Sequence, residues 1–278
     1  DLASVTVVHP YDFINNDPHA NDDHQHGTHI ATTILGVGKI NGVAPGAALM
    51  PIKVLDASNR GTELALAQGI RWAVDHGARL LNMSLSFPVS YVPSGLLQEA
   101  VTYAASQGAL MIASSGNAGM DTLPYPAAFR EVVSVGSVRM KRLSSGALVS
   151  ELASYSNYGP GLDLVSPGGS LQFDADLDGW PDGVLGQSIR YQSPSAMSYF
   201  FSAGTSQAAA QVSGIAAWLM AAGATPAQAR DAMLETATDL GEPGYDTSYG
   251  QGVVSLYPSV SALMAHTPQP TPRMYANI

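Results

Sequence analysis

The segment FSAGTSQAAAQVSGIAAWLM, residues 201–220, predicts a helix that lies at the centre of the fold. Apolar and small residues cover most of the helix circumference, as shown by Ala208, Ala209, Val212, Ile215, Ala216 and Leu219. A helix that is apolar nearly all round is a buried helix. Ser206 stands in its first turn, where backbone N–H groups lack helical partners and the positive end of the helix dipole lies.

Ser206 has two interpretations from this position. A serine or threonine at a helix start, here Thr205 or Ser206, is most often an N-cap. A serine can also be a nucleophile where a base and an oxyanion donor accompany it. His26 in HQHGTHIATTIL (24–35) is the candidate base, and Asn117 in LMIASSGNAG (110–119) is the candidate amide donor.

Five short motifs occur in an order that resembles the subtilisin-like serine proteases, the subtilases. The motifs are HGTH (26–29), NMSL (82–85), SSGNAG (114–119), YPA (125–127) and GTS (204–206). The resemblance implies an α/β fold with a doubly wound, mostly parallel sheet and helices on both faces. It also implies a serine endopeptidase that works through an acyl-enzyme, with Ser206 as nucleophile, His26 as base and Asn117 in the oxyanion hole.

The order of predicted elements agrees with this fold class. Helices are predicted at about 27–35, 62–76, 94–107, 225–237 and 258–265, and strands at 3–8, 48–55, 79–85, 109–115, 131–138 and 161–166. Such alternation is typical of a parallel, doubly wound sheet, whose ligands bind beyond the carboxyl ends of the strands. Asn82, Ser84 and Asn117 fall at such ends.

The composition limits the classes of function. The chain has 278 residues, of which 46% are hydrophobic and 12% are charged, as expected for a globular domain. A net charge of −10 with only 12 Lys plus Arg excludes nucleic acid as the main partner. No apolar run reaches the roughly 18 residues of a membrane span. The absence of cysteine does not decide the redox compartment, and only the resemblance implies a secreted protein.

The resemblance also assigns substrate contacts. The segment Ser84, Leu85 and Ser86 is expected to pair with the substrate backbone as an extra strand. A hydroxyl that satisfies a nearby backbone group is the simpler interpretation of Ser84. Ser114, Ser115 and Gly116 are implied as a wall of the first specificity pocket, and Gly61 as part of the opposite edge of the cleft. The family usually has glycine at position 86, so Ser86 is expected to narrow that pocket.

The acidic segment DADLDGWPDG (174–183) is spaced like the first half of a calcium loop. Side-chain ligands would be Asp174, Asp176, Asp178 and Asp182, with the Trp180 carbonyl between the last two. Leu185 stands where a bidentate glutamate would complete such a loop. We expect a structural Ca²⁺ here, and the alternative is a solvated acidic turn.

A second polar run, residues 11–25, allows a cation site or a set of Asx turns equally. The histidines around His26 do not form the HExxH pattern of a zinc protease, which disfavours metal catalysis. An α/β-hydrolase esterase is also disfavoured, because Ser206 lacks the Gly-x-Ser-x-Gly elbow.

The third member of the triad is missing from the pattern. The family carries it in an Asp-Thr/Ser-Gly turn before HGTH, whereas no such turn precedes His26. Asp1 and Leu2 resemble the segment after that turn. The resemblance therefore implies that the catalytic Asp and the first central strand lie outside these residues, and we expect little activity from the 278 residues alone. The alternative is a pseudoprotease that acts as a calcium-stabilised peptide-binding module.

Residues 1–266 are predicted to be one subtilase domain, and residues 267–278 a Pro-rich tail or linker, which hints at a further domain. The expected partners are polypeptide substrates and the protein's own prosegment or an inhibitor.

Overall fold

A computed structural model describes residues 1–190 and 193–266. The strands are β1 (Tyr11–Asp12), β2 (Ile52–Lys53), β3 (Leu80–Met83), β4 (Leu110–Ser114), β5 (Val132–Arg142), β6 (Leu148–Leu152), β7 (Leu164–Pro167), β8 (Val184–Arg190) and β9 (Ser193–Ser202). The helices are α1 (His26–Leu35), α2 (Glu63–Asp75), α3 (Gly95–Ser106), α4 (Thr205–Ala221), α5 (Pro226–Glu235) and α6 (Leu256–His266).

The central sheet is mostly parallel. Strands β3, β4, β5 and β7 run parallel, and β6 pairs antiparallel with the end of β5. The register places Asn82 beside Ile112, and Ile112 beside Val133. The carboxyl ends of β3 and β4 therefore meet at one edge, where the predicted site residues lie.

Helices cover both faces of this sheet. Neighbouring residues of β4 point to opposite faces, so Met111 packs in the core beneath α2 and α3, whereas Ile112 packs against α4 and α5. Helix α4 is buried on nearly all sides, as its sequence predicts. The expected α/β fold class is confirmed. Within the described residues, no helix combines the length and apolar character needed to cross a membrane.

Short polar side chains fix where the helices begin. The Thr62 hydroxyl accepts a hydrogen bond from the Ala65 N–H at 3.1 Å, and the Ser94 hydroxyl caps α3 in the same way. Thr225 and Gln228 form a capping box ahead of α5, with Pro226 at the first helical position. These contacts satisfy backbone donors that have no partner inside the helix.

Two predicted strands are wrong in extent. Residues 3–8 form no strand, and Val7 contributes only an isolated bridge to Leu49. The predicted strand 48–55 is reduced to Ile52–Lys53. Pro10 and Pro51 cannot donate to a ladder, which limits regular pairing on both segments.

The segment before Ser206 contains a hairpin that the sequence patterns do not predict. Strands β8 and β9 pair antiparallel, with Leu185 opposite Phe201, and form a hairpin that packs against α1. The sequence has no Asn-Gly or Asp-Gly turn signal near residue 191, so the hairpin is hard to detect. Residues 267–278 lie outside the described residues, and the domain boundary at 266 stays a prediction.

A cavity of about 1170 Å³ separates the β1–β2 ribbon from the central sheet. Residues 47–56 line one side and residues 78–85 line the other. On the β2 side, the carbonyls of Pro51 and Lys53 accept hydrogen bonds from the N–H groups of Tyr11 and Phe13. The Arg79 carbonyl, just before β3, accepts from the N–H of Leu110 on β4. Alternate residues of a strand direct their N–H and C=O groups to opposite sides. The remaining residues of β2 and β3 therefore direct these groups towards the cavity, which is bordered by two strand edges without a strand partner among the described residues.

Gly214 in α4 offers a test of how tightly this buried helix is packed. A Cβ at Gly214 would lie 2.4 Å from the Cβ of Val43, whereas a Cβ at Gly95 in α3 would meet nothing within 4 Å. We expect Gly214→Ala to lower the free energy of unfolding by about 1–3 kcal/mol despite its better helix propensity. The matched control Gly95→Ala should leave it unchanged or slightly raised. Urea unfolding of both variants checks this, and equal effects would contradict the packing described.

Candidate active site

Ser206 lies in the first turn of α4 and is only 9% exposed. Its hydroxyl donates a long hydrogen bond of 3.4 Å to the Ser84 carbonyl, and the Ser84 hydroxyl donates to the Ser206 carbonyl at 2.9 Å. The N-cap residue is Gly204, and no side chain caps the helix. The N-cap interpretation of Ser206 is therefore wrong, and its hydroxyl is weakly engaged.

Asn117 is joined directly to the start of α4. Its Oδ1 accepts hydrogen bonds from the Thr205 backbone N–H at 2.9 Å and from the Thr205 hydroxyl at 3.0 Å. The Thr205 hydroxyl also accepts from the Gly116 N–H at 3.2 Å. Because its oxygen is held by Thr205, the amide of Asn117 has Nδ2 as its remaining end, and Nδ2 is a hydrogen-bond donor.

Asn157 supports the loop that carries Asn117, and the sequence analysis missed it. The Asn157 side chain is buried, and its Oδ1 accepts from the N–H groups of Ala118 and Met120. Gly116 has a φ of 100° and approaches so closely that a Cβ there would lie 2.7 Å from the Asn157 amide nitrogen. Only a contact map could have shown this role, because Asn157 stands forty residues along the chain in a segment without a motif.

His26 is the first residue of α1, and an aspartate fixes the turn before it. The Asp22 carboxylate accepts hydrogen bonds from the N–H groups of His24, Gln25 and Thr28 at 2.7–2.9 Å. Gln25 precedes the helix with a φ of 100°, and the Ser188 hydroxyl on β8 donates to its carbonyl. The β8–β9 hairpin thus holds the turn from which His26 projects.

Burial lowers the pKa of His26 from 6.5 to about 4, and the neighbouring His24 and His29 add to this effect. The Asp22 charge opposes it only in part. His26 is therefore neutral at neutral pH, which is the form in which imidazole accepts a proton.

The structure shows no hydrogen bond from the His26 ring to Ser206 or to a carboxylate within the described residues. Asp22 cannot serve as the missing partner, because both of its oxygens are taken by backbone amides and by the Thr28 hydroxyl. His26 instead lines the cavity between β2 and β3, together with Ser84. His26 and Ser84, which is hydrogen-bonded to Ser206, thus border the same cavity.

The expected substrate-contact residues fall into two groups. Ser84 lies just beyond β3 and its hydroxyl satisfies a backbone carbonyl, as in its simpler interpretation, while Leu85 is half-buried and Ser86 is exposed. Ser114, Ser115 and Gly116 are buried at the end of β4, next to Asn117. Gly61 packs closely against the Val54 carbonyl and the Leu55 side chain.

Three of the four predicted calcium-ligand carboxylates come together. Ligand atoms of Asp174, Asp176 and Asp182 lie within 4.8 Å of one another. The Asp178 carboxylate is not in this group, and it accepts a hydrogen bond from the backbone N–H of Trp180 at 2.8 Å. In the polar run before His26, the Asp12 carboxylate likewise accepts from backbone N–H groups, which favours the Asx-turn interpretation there.

Comparisons with known proteins agree with this geometry. The Subtilase family matches residues 1–252. Subtilisin BL from Lederbergia lenta is 34% identical over 248 residues, covering 87% of this chain and 80% of its own. Subtilisin DY from Bacillus licheniformis is 31% identical over 263 residues, with coverages of 91% and 84%.

Solved structures show the same similarity. A lanthipeptide protease superimposes with a TM-score of 0.75 at 26% identity, covering 93% of this chain and 82% of that one. Sphericase gives a TM-score of 0.69 at 29% identity, with coverages of 84% and 78%. The pseudoprotease alternative is not favoured by these relatives. The chain belongs to the subtilase family and is a subtilisin-like serine endopeptidase.

Proposed function

We propose that Ser206 is the nucleophile, His26 the general base, and Asn117 the side-chain donor of the oxyanion hole. The observation that carries this assignment is the pair of hydrogen bonds from Thr205 to the Asn117 oxygen. They fix the amide beside the first turn of α4 and leave its Nδ2 available to a bound carbonyl oxygen.

In the proposed reaction, the Ser206 hydroxyl attacks the peptide carbonyl carbon while His26 takes its proton. Asn117 Nδ2 and the Ser206 backbone N–H donate hydrogen bonds to the oxygen that becomes negative. The C–N bond then breaks, and His26 returns the proton to the leaving amine. Water, activated by His26, releases the acyl group from Ser206 and restores the hydroxyl.

The substrate is proposed to be an extended polypeptide. Ser86 is exposed directly after β3, which supports backbone pairing along Ser84, Leu85 and Ser86. Ser114, Ser115 and Gly116 lie next to Asn117 and are proposed to form a pocket wall. Gly61 is proposed to form part of the opposite edge of the cleft, which the family resemblance supports.

Asn117→Ala tests the oxyanion assignment. Losing one such donor typically reduces kcat by about 10²–10³-fold. We expect a loss of this size with little change in KM, because the donor acts on charge that develops in the transition state. The control Gln98→Ala removes an exposed amide from α3 and should leave kcat unchanged. Circular dichroism checks that both variants are folded, and an unchanged kcat in folded Asn117→Ala would reject the role.

We further propose that the carboxylate partner of His26 is supplied by an extended segment lying in the cavity between β2 and β3. Two open strand edges border the cavity, and His26 lines it, which supports a strand as the occupant. Such a strand would complete one sheet from β2 to β3 and could end beside the imidazole. The family resemblance supports an Asp-Thr/Ser-Gly turn at that end.

This proposal predicts two separable effects of an apolar strand ending in Asp-Thr-Gly that is fused ahead of Asp1. The strand should raise the melting temperature, because it pairs two free edges. It should also raise kcat by about 10⁴-fold over the same fusion ending in Asn-Thr-Gly, in line with the ~3 × 10⁴ loss seen when subtilisin loses its Asp. The Asn fusion should share the stabilisation but not the activity. If neither fusion stabilises the protein, the cavity does not hold a strand.

The acidic loop is proposed to bind a structural Ca²⁺ through Asp174, Asp176 and Asp182, whose carboxylate oxygens converge. Oxygen ligands of this kind suit a hard cation. Asp178, also expected as a ligand, is left out of this proposal because its carboxylate does not belong to the convergent group. The Trp180 carbonyl stays a prediction from the sequence.

Calcium at about one hundred times its Kd should add about 2.7 kcal/mol to the free energy of unfolding, because the folded loop binds it and the unfolded chain does not. Asp176→Asn should remove most of this gain. Asp231→Asn, at an exposed position of α5, serves as the control and should retain the stabilisation by calcium. An identical response of all three proteins to calcium and EGTA in thermal unfolding would exclude the loop as the site.

Release outside the cell, and control by a prosegment or an inhibitor that occupies the cleft, complete the proposed function. Both are supported by the family resemblance alone.

A further inference from the structure

A second cavity, of about 320 Å³, adjoins His26. It lies between the start of α1, the β8–β9 hairpin and the first turn of α4, and its lining includes His26, His29, Phe201, Ser202 and Gln207. His29 is only 4% exposed, and its Nδ1 has no hydrogen-bond partner within the described residues. The cavity therefore has polar as well as aromatic walls.

The reaction direction indicates which part of a substrate enters this space. His26 returns its proton to the leaving amine, so the residues after the scissile bond pass close to the imidazole. Gln207, which directly follows the proposed nucleophile, faces the same cavity and is 2% exposed. Its amide is held by a hydrogen bond of 3.0 Å to Ser202. The cavity thus lies where the leaving-group side of the substrate is expected.

An exposed aromatic platform continues the wall outward. The Trp180 ring stacks on Phe201 at 6.0 Å between centroids and 28° between planes. Trp180 is nevertheless 63% exposed, which leaves the indole open to a ligand. Phe201 lines the cavity and also stacks on Trp180, so the cavity and the exposed indole form one continuous surface.

The loop that carries Trp180 is acidic. The Asp178 carboxylate accepts a hydrogen bond from the backbone N–H of Trp180, which fixes a negative charge two residues before the exposed indole in the chain. Of the basic side chains of the neighbouring β5, Arg139 and Lys141 pair with Glu151, whereas Arg142 contacts the loop by donating to the Ala175 carbonyl. With a calcium ion and Arg142 both counted, the four aspartates leave a net charge of about −1 here.

An exposed aromatic face on a negatively charged loop is a receptor for a cation. We propose that the Trp180–Asp178 surface selects substrates that carry a lysine or arginine within the first few residues after the scissile bond. This inference rests on the proposed roles of Ser206 and His26, because they define the leaving-group side.

The test compares two internally quenched peptides that are identical up to the scissile bond and differ only by lysine or glutamate after it. We expect kcat/KM to favour the lysine peptide by about tenfold or more in saturating calcium and low salt. Asp178→Asn keeps the acceptor for the Trp180 N–H and should reduce this preference severalfold, and Trp180→Ala should reduce it further. High salt should weaken the preference, because the carboxylate is exposed. Glu99→Gln, at an exposed position of α3, is the matched charge control and should retain the preference for lysine.

Peptide affinity is measured in parallel on Ser206→Ala by fluorescence anisotropy. Equal affinities and equal kcat/KM for the two peptides would overturn the inference while leaving the catalytic assignment intact. A lysine preference in affinity that Asp178→Asn weakens, without turnover by the parent protein, would support the binding surface and contradict the catalytic assignment.

Discussion

The hydrogen bonds between Thr205 and Asn117 are the contact on which the site depends. They join the start of α4 to the end of β4, two elements that lie 88 residues apart in sequence. Helix α4 is enclosed by the sheet and the helices α5 and α6, so its first turn has little freedom to move. The Asn117 amide and the Ser206 hydroxyl are therefore held by the same packing that stabilises the core, and the proposed oxyanion site requires such preorganisation.

His26 is held in a different way. Helix α1 contacts α4, but its first turn is fixed by Asp22 and by the β8–β9 hairpin. Thr32 donates to the Gln187 carbonyl at 2.8 Å, and the His29 ring lies 3.2 Å from the Phe200 carbonyl. The same hairpin carries the aromatic residues that adjoin the second cavity. The hairpin thus links the position of His26, the proposed base, with the surface proposed to bind the leaving-group side of the substrate.

The sequence analysis predicted most of the central architecture, because α4 and the parallel strands have strong local patterns. The apolar circumference of α4 and the continuous apolar run of β4 each identify a buried element without tertiary information. Its failures have physical causes. The prolines at 10 and 51 shortened strands that β-branched residues favoured, and the β8–β9 hairpin lacks a turn signature.

The site was predicted less completely than the fold. The family motifs singled out Ser206, His26 and Asn117, but the hydrogen bonds that orient Asn117 come from Thr205, which looked like a cap. Asn157 and Ser188 form hydrogen bonds with backbone groups that are distant in sequence, and no sequence pattern predicts such contacts. In the acidic loop, spacing predicted four convergent carboxylates, whereas three converge and the Asp178 carboxylate accepts from the backbone N–H of Trp180.

The central claim is that the hydroxyl at the start of α4 is an activated nucleophile. Its most direct test is reaction with a fluorophosphonate probe followed by peptide mapping of the modified residue. The account predicts a single adduct on Ser206, lost in Ser206→Ala and retained in Ser202→Ala. An adduct on another serine, or equal labelling of the Ser206→Ala variant, would contradict it.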